Sequence, residues 1–141
     1  MSTIDIPENY FLTSFVPRFR DADSMGHVNN SVFSTYIENS RFEWMKSLQE
    51  KGVQKWMGFI LARAEIDFLA PINLEDKISV VMWVSKIGNK SWDFSYLIIN
   101  QDRTKIFAKI RSIQVGYNYQ ENRTEPLNEV VREQLNILYN K

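Results

Sequence analysis

The chain has 141 residues, 44% of them hydrophobic, and its 17 basic and 17 acidic side chains cancel. This balance argues against nucleic acid or a membrane surface as a partner, and the absence of cysteine with only one histidine excludes disulfides, thiolate nucleophiles and a clustered zinc site. We therefore predict one cytoplasmic domain over residues 1–141, without the roughly 18 consecutive apolar residues of a membrane span.

The first half of the chain predicts one strand followed by one long helix. Loose alternation over residues 12–21 indicates the strand, and Pro17, which has no N–H to donate, favours an edge position. Over about residues 31–51, apolar side chains recur every three or four positions and mark one face of a helix. Gly52 is suited to end that helix.

The second half predicts four strands and a short helix. The strands are residues 59–68, 76–87, 91–100 and about 104–119, with a hairpin loop at 88–90. After Pro126, apolar residues step along a short amphipathic C-terminal helix. Short connections favour an antiparallel sheet, and the long apolar helix must be covered by it. We predict an α+β fold in which about five antiparallel strands wrap around one central helix.

Polar side chains crowd the segment before the long helix, which runs "FRDADSMGHVNNSVF" over residues 19–33. On residues alone, Asp23 is a candidate nucleophile or general base, or an acceptor that closes a turn. Asp21 has the opposite strand parity and is assigned to structure or to orienting the loop. Asn29 and Asn30 are good helix caps, and Gly26 permits a positive φ or a close approach of substrate.

Residues 18–44 together with 68–94 resemble the hotdog-fold acyl-CoA thioesterases related to 4-hydroxybenzoyl-CoA thioesterase. The resemblance covers nearly the whole chain. It includes the Pro-containing turn and the Gly-basic-Ser segment "GNKS" at residues 88–91. Its sharpest part consists of Asp23, Gly26, His27, Val28, Asn29, Asn30, Tyr36, Glu38 and Arg41.

The resemblance implies hydrolysis of acyl-CoA to a carboxylic acid and free CoA, without metal or redox cofactor. It assigns Asp23 as the carboxylate that attacks the thioester or activates water, and the backbone N–H of Asn30 as the oxyanion donor. A helix N-terminus presents unpaired N–H groups and partial positive charge, which suits that second role. His27 is a further catalytic candidate, with a loop histidine that bonds backbone groups as the alternative.

Glu38 is a reserve catalytic carboxylate, because a second group of hotdog thioesterases uses a helical glutamate. Its spacing from Arg41 instead favours a structural salt bridge. For substrate and CoA binding, the resemblance and the distribution of basic residues indicate Gly26, Val28, Asn29, Arg63, Lys86, Asn89, Lys90 and Ser91. Lys109 and Arg111 are equally plausible partners for the CoA phosphates, and such basic residues are also ordinary solvated side chains.

Sheet edges and the resemblance both predict a homo-oligomer, either a dimer or a tetramer, with active sites between subunits. Three alternatives remain open at the level of sequence: an acyl-carrier-protein thioesterase, a hotdog hydratase or dehydratase, and a non-catalytic acyl-CoA-binding protein. The identity of the acyl group is not indicated, since the aromatic residues are needed for the core.

Overall fold

The computed structural model describes residues 3–54 and 56–141. Its strands and helices follow the predicted order. They are β1 (Phe11–Phe15), α1 (Val32–Glu50), β2 (Phe59–Phe68), β3 (Ile78–Ile87), β4 (Ser91–Asn100), β5 (Ile106–Asn118), β6 (Arg123–Thr124) and α2 (Glu129–Ile137). Within the described residues, no helix combines the length and apolar character needed to cross a membrane.

The main sheet is antiparallel, in the order β1-β3-β4-β5-β2, and the two-residue β6 adds to β5. β1 and β2 are therefore the edge strands of the main path. The predicted antiparallel sheet is confirmed, with β6 as a short strand that the sequence did not indicate. The predicted edge position of the first strand is also confirmed.

The long helix α1 packs on one face of the sheet, as its apolar stripe predicted. Trp44 on α1 meets Phe94 of β4 edge-on, with ring centroids 5.3 Å apart. Phe33, Ile37 and Trp44 are all at most 3% exposed. Burying side chains of this size stabilises the fold by about 1.5–3 kcal/mol each, so the helix is held mainly by its contact with the sheet.

The helix ends where Gly52 predicted an end. Gly52 has φ +78°, its N–H donates to the Gln49 carbonyl at 3.0 Å, and the Val53 N–H donates to the Leu48 carbonyl at 3.0 Å. This arrangement satisfies carbonyls that the last turn of a helix leaves open. The C-terminal helix α2 begins at Asn128, whose side-chain oxygen accepts from the Val131 N–H at 2.9 Å.

The first strand is shorter than predicted. β1 ends at Phe15, before Pro17, and Phe19–Asp21 form one turn of 3₁₀ helix instead of continuing the strand. The reason is local: the Asp21 carboxylate accepts from the Arg18 N–H at 2.8 Å, and the Asp21 N–H returns a bond to the Arg18 carbonyl at 2.9 Å. These two bonds satisfy the backbone as a strand partner would have done.

A β-bulge in β2 overturns the predicted division of its two faces. Strict alternation predicted that Ile60 and Ala62 share a face with Ala64. The register against β5 shifts by one residue at Ala62, and so Phe59 faces the helix side in place of Ile60. The Phe59 ring lies 5.2 Å from that of Trp92. An inserted residue exchanges the faces of everything beyond it, and alternation alone cannot reveal the insertion.

Candidate active site

The segment between the 3₁₀ turn and α1 folds into a closed loop. Ala22 and Val28 form an antiparallel bridge, and the Asp23 N–H donates to the His27 carbonyl at 2.7 Å. Gly26, at the tip, has φ +82° and would have no atom within 4 Å of an added Cβ. Glycine at position 26 is therefore explained by its positive φ, and not by the close approach of another atom of this chain.

The Asp23 carboxylate is fixed by the loop that carries it. Its Oδ1 accepts from the Met25 N–H at 2.8 Å and from the His27 N–H at 3.2 Å. Asp23 is exposed, and no hydrogen bond within the described residues uses its Oδ2. The turn-closing and catalytic interpretations of Asp23 are thus compatible, because one oxygen closes the turn and the other faces solvent.

The start of α1 leaves a backbone donor unused. Asn29 Oδ1 accepts from both the N–H and the hydroxyl of Ser31, at 3.0 and 2.9 Å, while its carbonyl accepts from the Val32 N–H at 2.9 Å. Asn29 therefore organises the first turn, as expected for one of the two asparagines. The N–H of Asn30, which is exposed, donates to no acceptor in the described part of the protein. It is available to an outside oxygen.

The side chain of Tyr36 connects α1 to the segment that precedes the Asp23 loop. Its hydroxyl donates to the Asp21 carboxylate at 2.9 Å, and the ring packs against Phe15 with centroids 4.5 Å apart. Burial, together with the hydrogen bond to Asp21 and its negative charge, raises the pKa of Tyr36. The phenol therefore stays protonated and donates its hydrogen bond at neutral pH. Asp21 has a structural role, as predicted, although residues 19–21 form a 3₁₀ turn and not the strand on which that prediction was based.

Comparison with known proteins identifies the family. The model of the thioesterase-like superfamily matches residues 17–135, which include every residue of this loop and the whole of α1. The chain belongs to the thioesterase-like superfamily. Both the predicted hotdog fold and the predicted class of enzyme, a thioester hydrolase, are confirmed by this membership and by the structures that resemble it.

Three relatives illustrate the similarity. The chain is 27% identical over 111 residues to the uncharacterized protein YsmA of Bacillus subtilis (strain 168), covering 74% of this chain and 76% of YsmA. A predicted thioesterase from Bacillus stearothermophilus is 26% identical, with a TM-score of 0.81 and coverage of 94% and 98%. A thioesterase from Thermus thermophilus, solved with coenzyme A and Zn, is 31% identical, with a TM-score of 0.77 and coverage of 93% and 96%.

In this thioesterase, His27 and Val28 face different surroundings. Val28 is 3% exposed, and its N–H donates to the Ile72 carbonyl at 2.8 Å, so its side chain belongs to the core and not to an open substrate surface. His27 is half-buried and bridges to Asn73 through the backbone. Its ring forms no hydrogen bond within the described residues, so it has the freedom that contact with a substrate would require.

The predicted salt bridge between Glu38 and Arg41 is wrong. Glu38 is exposed, whereas Arg41 is only 8% exposed and donates to the Tyr96 hydroxyl at 3.1 Å. Arg41 lies on the side of α1 that packs toward the sheet, and so its guanidinium turns inward. Their spacing on the helix would allow Glu38 and Arg41 to pair, but Arg41 is buried and Glu38 is exposed, so no salt bridge forms. Glu38, the reserve catalytic carboxylate, is left at the surface of α1.

The thioesterase does not bring the predicted CoA-binding hairpin to Asp23 within one chain. The Asp23 loop contacts Ile72 and Asn73, just before β3 begins, whereas Lys86, Asn89, Lys90 and Ser91 lie at or beyond the far end of β3. Ten strand residues span about 33 Å. At that far end the Leu127 N–H donates to the Asn89 carbonyl, the Gly116 N–H donates to the Lys90 carbonyl, and the Lys90 ammonium lies 3.4 Å from the Thr124 hydroxyl.

Arg63 and Arg111 lie away from both regions, on the sheet face opposite α1. Each contacts Glu65, at 2.6 and 3.1 Å, and Arg111 also contacts Asp93 at 3.2 Å. The hydrogen bond from Arg111 is the main cause that lowers the pKa of Glu65. These arginines are therefore committed to ion pairs in the protein. Lys109 lies on the same face, beside a shallow depression that includes Glu65 and Asp67.

Sequence reasoning missed a buried polar chain behind α1. Arg41, Tyr96, Ser112 and Gln114 are connected in that order by side-chain hydrogen bonds. The signal available in the sequence was a pair of polar residues, Ser112 and Gln114, at the alternate positions of β5 whose other side chains face the core. No group of three or more His, Cys, Asp or Glu side chains within residues 3–54 and 56–141 is placed to hold a metal ion.

Proposed function

We propose that this thioesterase hydrolyses acyl-CoA to a carboxylic acid and free CoA, with Asp23 as nucleophile or general base. The N–H of Asn30 at the start of α1 would bind the thioester oxygen as negative charge develops on it. The reaction would use no metal and no redox cofactor, because the thiolate of CoA is a good leaving group and the helix terminus provides the electrophilic stabilisation.

The observation that carries the proposal is the pairing of an anchored carboxylate with an unused amide at a helix start. Asp23 is held through one oxygen by two backbone N–H groups, which fixes its direction before any substrate binds. The N–H of Asn30 has no acceptor in the described protein and follows Asp23 by seven positions in the same segment. Groups that are already in position need no rearrangement during the reaction. This preorganisation is how electrostatic stabilisation lowers the reaction barrier.

We propose a homodimer that pairs through β2. In a tetramer, two such dimers would associate. β2 is the longer of the two edge strands, with ten residues against five in β1. It also exposes large apolar side chains, with Leu61 48% and Phe68 46% exposed. A long edge with open backbone groups and apolar side chains is the surface that natural sheets cover.

This pairing would complete the site. Two β2 strands related by a two-fold axis run antiparallel, so the far end of one sheet comes beside the Asp23 end of the other. The hairpin with Lys86, Asn89, Lys90 and Ser91 would then serve the Asp23 of the opposite chain. With that axis at Ala64, Arg63 would lie opposite Glu65 of the partner subunit. The separation of the predicted residues within one chain thus supports an active site between subunits.

The test is Asp23→Asn, assayed by release of free thiol from short-chain, long-chain and aromatic acyl-CoA. Asparagine keeps the Oδ1 that accepts from Met25 and His27, so the loop should persist while the charge disappears. We expect turnover to fall at least about 100-fold. Asp102→Asn, at an exposed turn, is the matched control and should retain full activity.

Two outcomes would contradict the proposal. Unchanged hydrolysis by Asp23→Asn would show that Asp23 is not the catalytic carboxylate, and Glu38 would then be the remaining candidate. Binding of acyl-CoA without thiol release by the parent protein would indicate a non-catalytic binder instead. Acyl-carrier-protein thioesters and enoyl-CoA belong in the same panel, since a preference for the first or hydration of the second would identify the carrier-protein thioesterase or the hydratase alternative.

A further inference from the structure

The buried guanidinium of Arg41 is bonded only to neutral groups. Its Nη1 donates to the Tyr96 hydroxyl at 3.1 Å, and that hydroxyl lies 2.6 Å from the Ser112 hydroxyl, which in turn bonds to the Gln114 side chain. The chain ends where Gln114 donates to the Trp92 carbonyl at 3.3 Å. No member of this chain carries a negative charge at neutral pH, and burial raises the pKa of Tyr96 further from ionisation.

A buried guanidinium normally has a carboxylate beside it, because removing the charge from water is costly and a neutral partner returns little of that cost. The ion pairs in the described residues involve the arginines at positions 63, 111 and 123, and none includes Arg41. Glu38, which is three residues before Arg41 on α1, is exposed and forms no ion pair with it. The charge compensation for Arg41 is therefore missing from the described part of the chain.

The remaining donors of Arg41 are not fully enclosed. A guanidinium has five N–H groups, and only one nitrogen of Arg41 is bonded within the protein. Among the described residues, the fully enclosed side-chain polar atoms without a partner are the indole nitrogens of Trp56 and Trp92. The other nitrogens of Arg41 are not in that set, so they retain contact with accessible space even though the residue is only 8% exposed.

The polar chain that holds Arg41 reaches the edge of the sheet at β2. Ser112 is directly opposite Ala64 in the β2–β5 register, and Ala64 is exposed. Leu61 and Phe68, 48% and 46% exposed, lie on the same face of β2 as Ala64, on either side of it. The buried polar chain that holds Arg41 thus lies beside a partly exposed apolar strip, and one polar anchor among apolar side chains is the usual composition of a binding site for a small molecule.

We propose that Arg41, held in place by its hydrogen bond to the Tyr96 hydroxyl, binds a carboxylate at the far end of the acyl group. This inference rests on the proposed function and assigns a substrate class to it: monothioesters of dicarboxylic acids. A carboxylate supplies the missing negative charge, and its two oxygens match the parallel donors of a guanidinium.

The distance along α1 limits the length of the acyl group. Arg41 follows Asn30 by eleven residues, or about 16 Å at about 1.5 Å per residue, and its side chain leans back toward the helix start. The guanidinium therefore lies roughly 12 Å from the proposed oxyanion donor. An extended eight-carbon diacid spans about 9 Å, and a hydrogen bond to the guanidinium adds about 3 Å, so a diacid of about eight carbons would reach from one to the other.

The test compares octanedioyl-CoA with octanoyl-CoA, which have the same length and differ in the terminal carboxylate. We expect the parent to prefer octanedioyl-CoA in kcat/KM by at least about tenfold, mainly through KM. Arg41→Met should lower kcat/KM for octanedioyl-CoA at least about tenfold more than for octanoyl-CoA, and Arg41→Lys should retain part of the preference. Lys46→Met, an exposed position on the same helix, is the control and should change neither substrate.

Equal loss on both substrates, or no preference in the parent, would overturn the proposal. Dissociation of the oligomer by Arg41→Met with unchanged selectivity would also overturn it, because Arg41 would then be paired with another subunit. If Arg41→Met does not fold, Arg41→Lys and Tyr96→Phe decide the question by the same ratio. If the parent hydrolyses no thioester, the proposed function fails, and calorimetric binding of the two thioether analogues still measures whether Arg41 selects the carboxylate.

Discussion

The hydroxyl of Tyr36 on α1 donates a 2.9 Å hydrogen bond to the carboxylate of Asp21, two residues before Asp23. Because Asp21 also accepts from the Arg18 N–H, the same carboxylate connects the helix to the 3₁₀ turn that precedes the loop. The position of Asp23 therefore depends on a bond made outside its own loop.

Removing that hydroxyl should weaken the fold modestly. Tyr36→Phe leaves a partly buried carboxylate with one donor fewer, and we expect the free energy of unfolding to fall by about 1–2 kcal/mol. Denaturant titration at neutral pH measures the loss. Tyr10→Phe, whose hydroxyl forms no hydrogen bond within the described residues, should change stability by much less. An equal loss in both variants would mean that the Asp21 bond contributes nothing specific.

The stability of the protein should also decline at high pH for the same reason. The pKa of Tyr36 is raised in the folded state, so its contribution is complete below the ordinary tyrosine value of about 10 and is lost as the pH rises from there toward the folded value. Urea titrations between about pH 9 and pH 11 should show a steeper decline for the parent than for Tyr36→Phe. Parallel declines would contradict the assignment.

Gly26 should tolerate asparagine better than alanine. Its φ of +82° lies in the left-handed region, but no atom would meet an added Cβ. We expect Gly26→Ala to cost about 1–2 kcal/mol from backbone strain and Gly26→Asn to cost less, since asparagine visits this region more readily. Gly116→Ala is the contrasting case, because its Cβ would lie 2.7 Å from the Glu125 carbonyl and from the Met57 methyl. Thermal unfolding should rank Gly116→Ala as the most damaging.

A charge on β2 should dissociate the proposed dimer. Leu61→Lys places an ammonium on an exposed apolar position of this edge, whereas Leu12→Lys, at a site 41% exposed, does so on the opposite edge strand β1. Light scattering should report a monomer for the first variant and an unchanged oligomer for the second. Thiol release should fall with dissociation. Dissociation by Leu12→Lys alone would instead indicate that β1 forms the interface.

Lys90 should act on the nucleotide part of CoA. It lies at the tip of the β3–β4 hairpin, with its ammonium near the Thr124 hydroxyl and no ion pair among the described residues. Lys90→Ala should raise KM for acyl-CoA several-fold, at about 1 kcal/mol for a surface charge. The KM for an acyl-pantetheine, which lacks the nucleotide, should not change. Equal effects on both substrates would place Lys90 elsewhere in the reaction.

Local patterns predicted the elements well because each depends on neighbouring residues. The bounds of α1 followed from its apolar period and from Gly52, and Asn29 followed from the chemistry of helix starts. The bulge at Ala62 and the inward turn of Arg41 depend on contacts with β5 and β4, which are distant in sequence. Periodicity does not contain that information.

The same limit applies to the candidate site. Asp23 and Asn30 lie within one segment, so the sequence alone could associate them. The hairpin at Lys90 was associated with them through the resemblance, which does not state whether two residues share a site within one chain or across two. Strand direction separates them, within one chain, by the length of β3.

The length of β3 has a genetic consequence for the proposed dimer. Each site would combine Asp23 from one polypeptide with Lys90 from the other. A subunit carrying Asp23→Asn would be inactive alone and a subunit carrying Lys90→Ala would have a raised KM, yet a mixed dimer would contain one site in which both residues are intact. Co-expression of the two genes should therefore produce sites with the KM of the parent protein, which neither gene provides by itself.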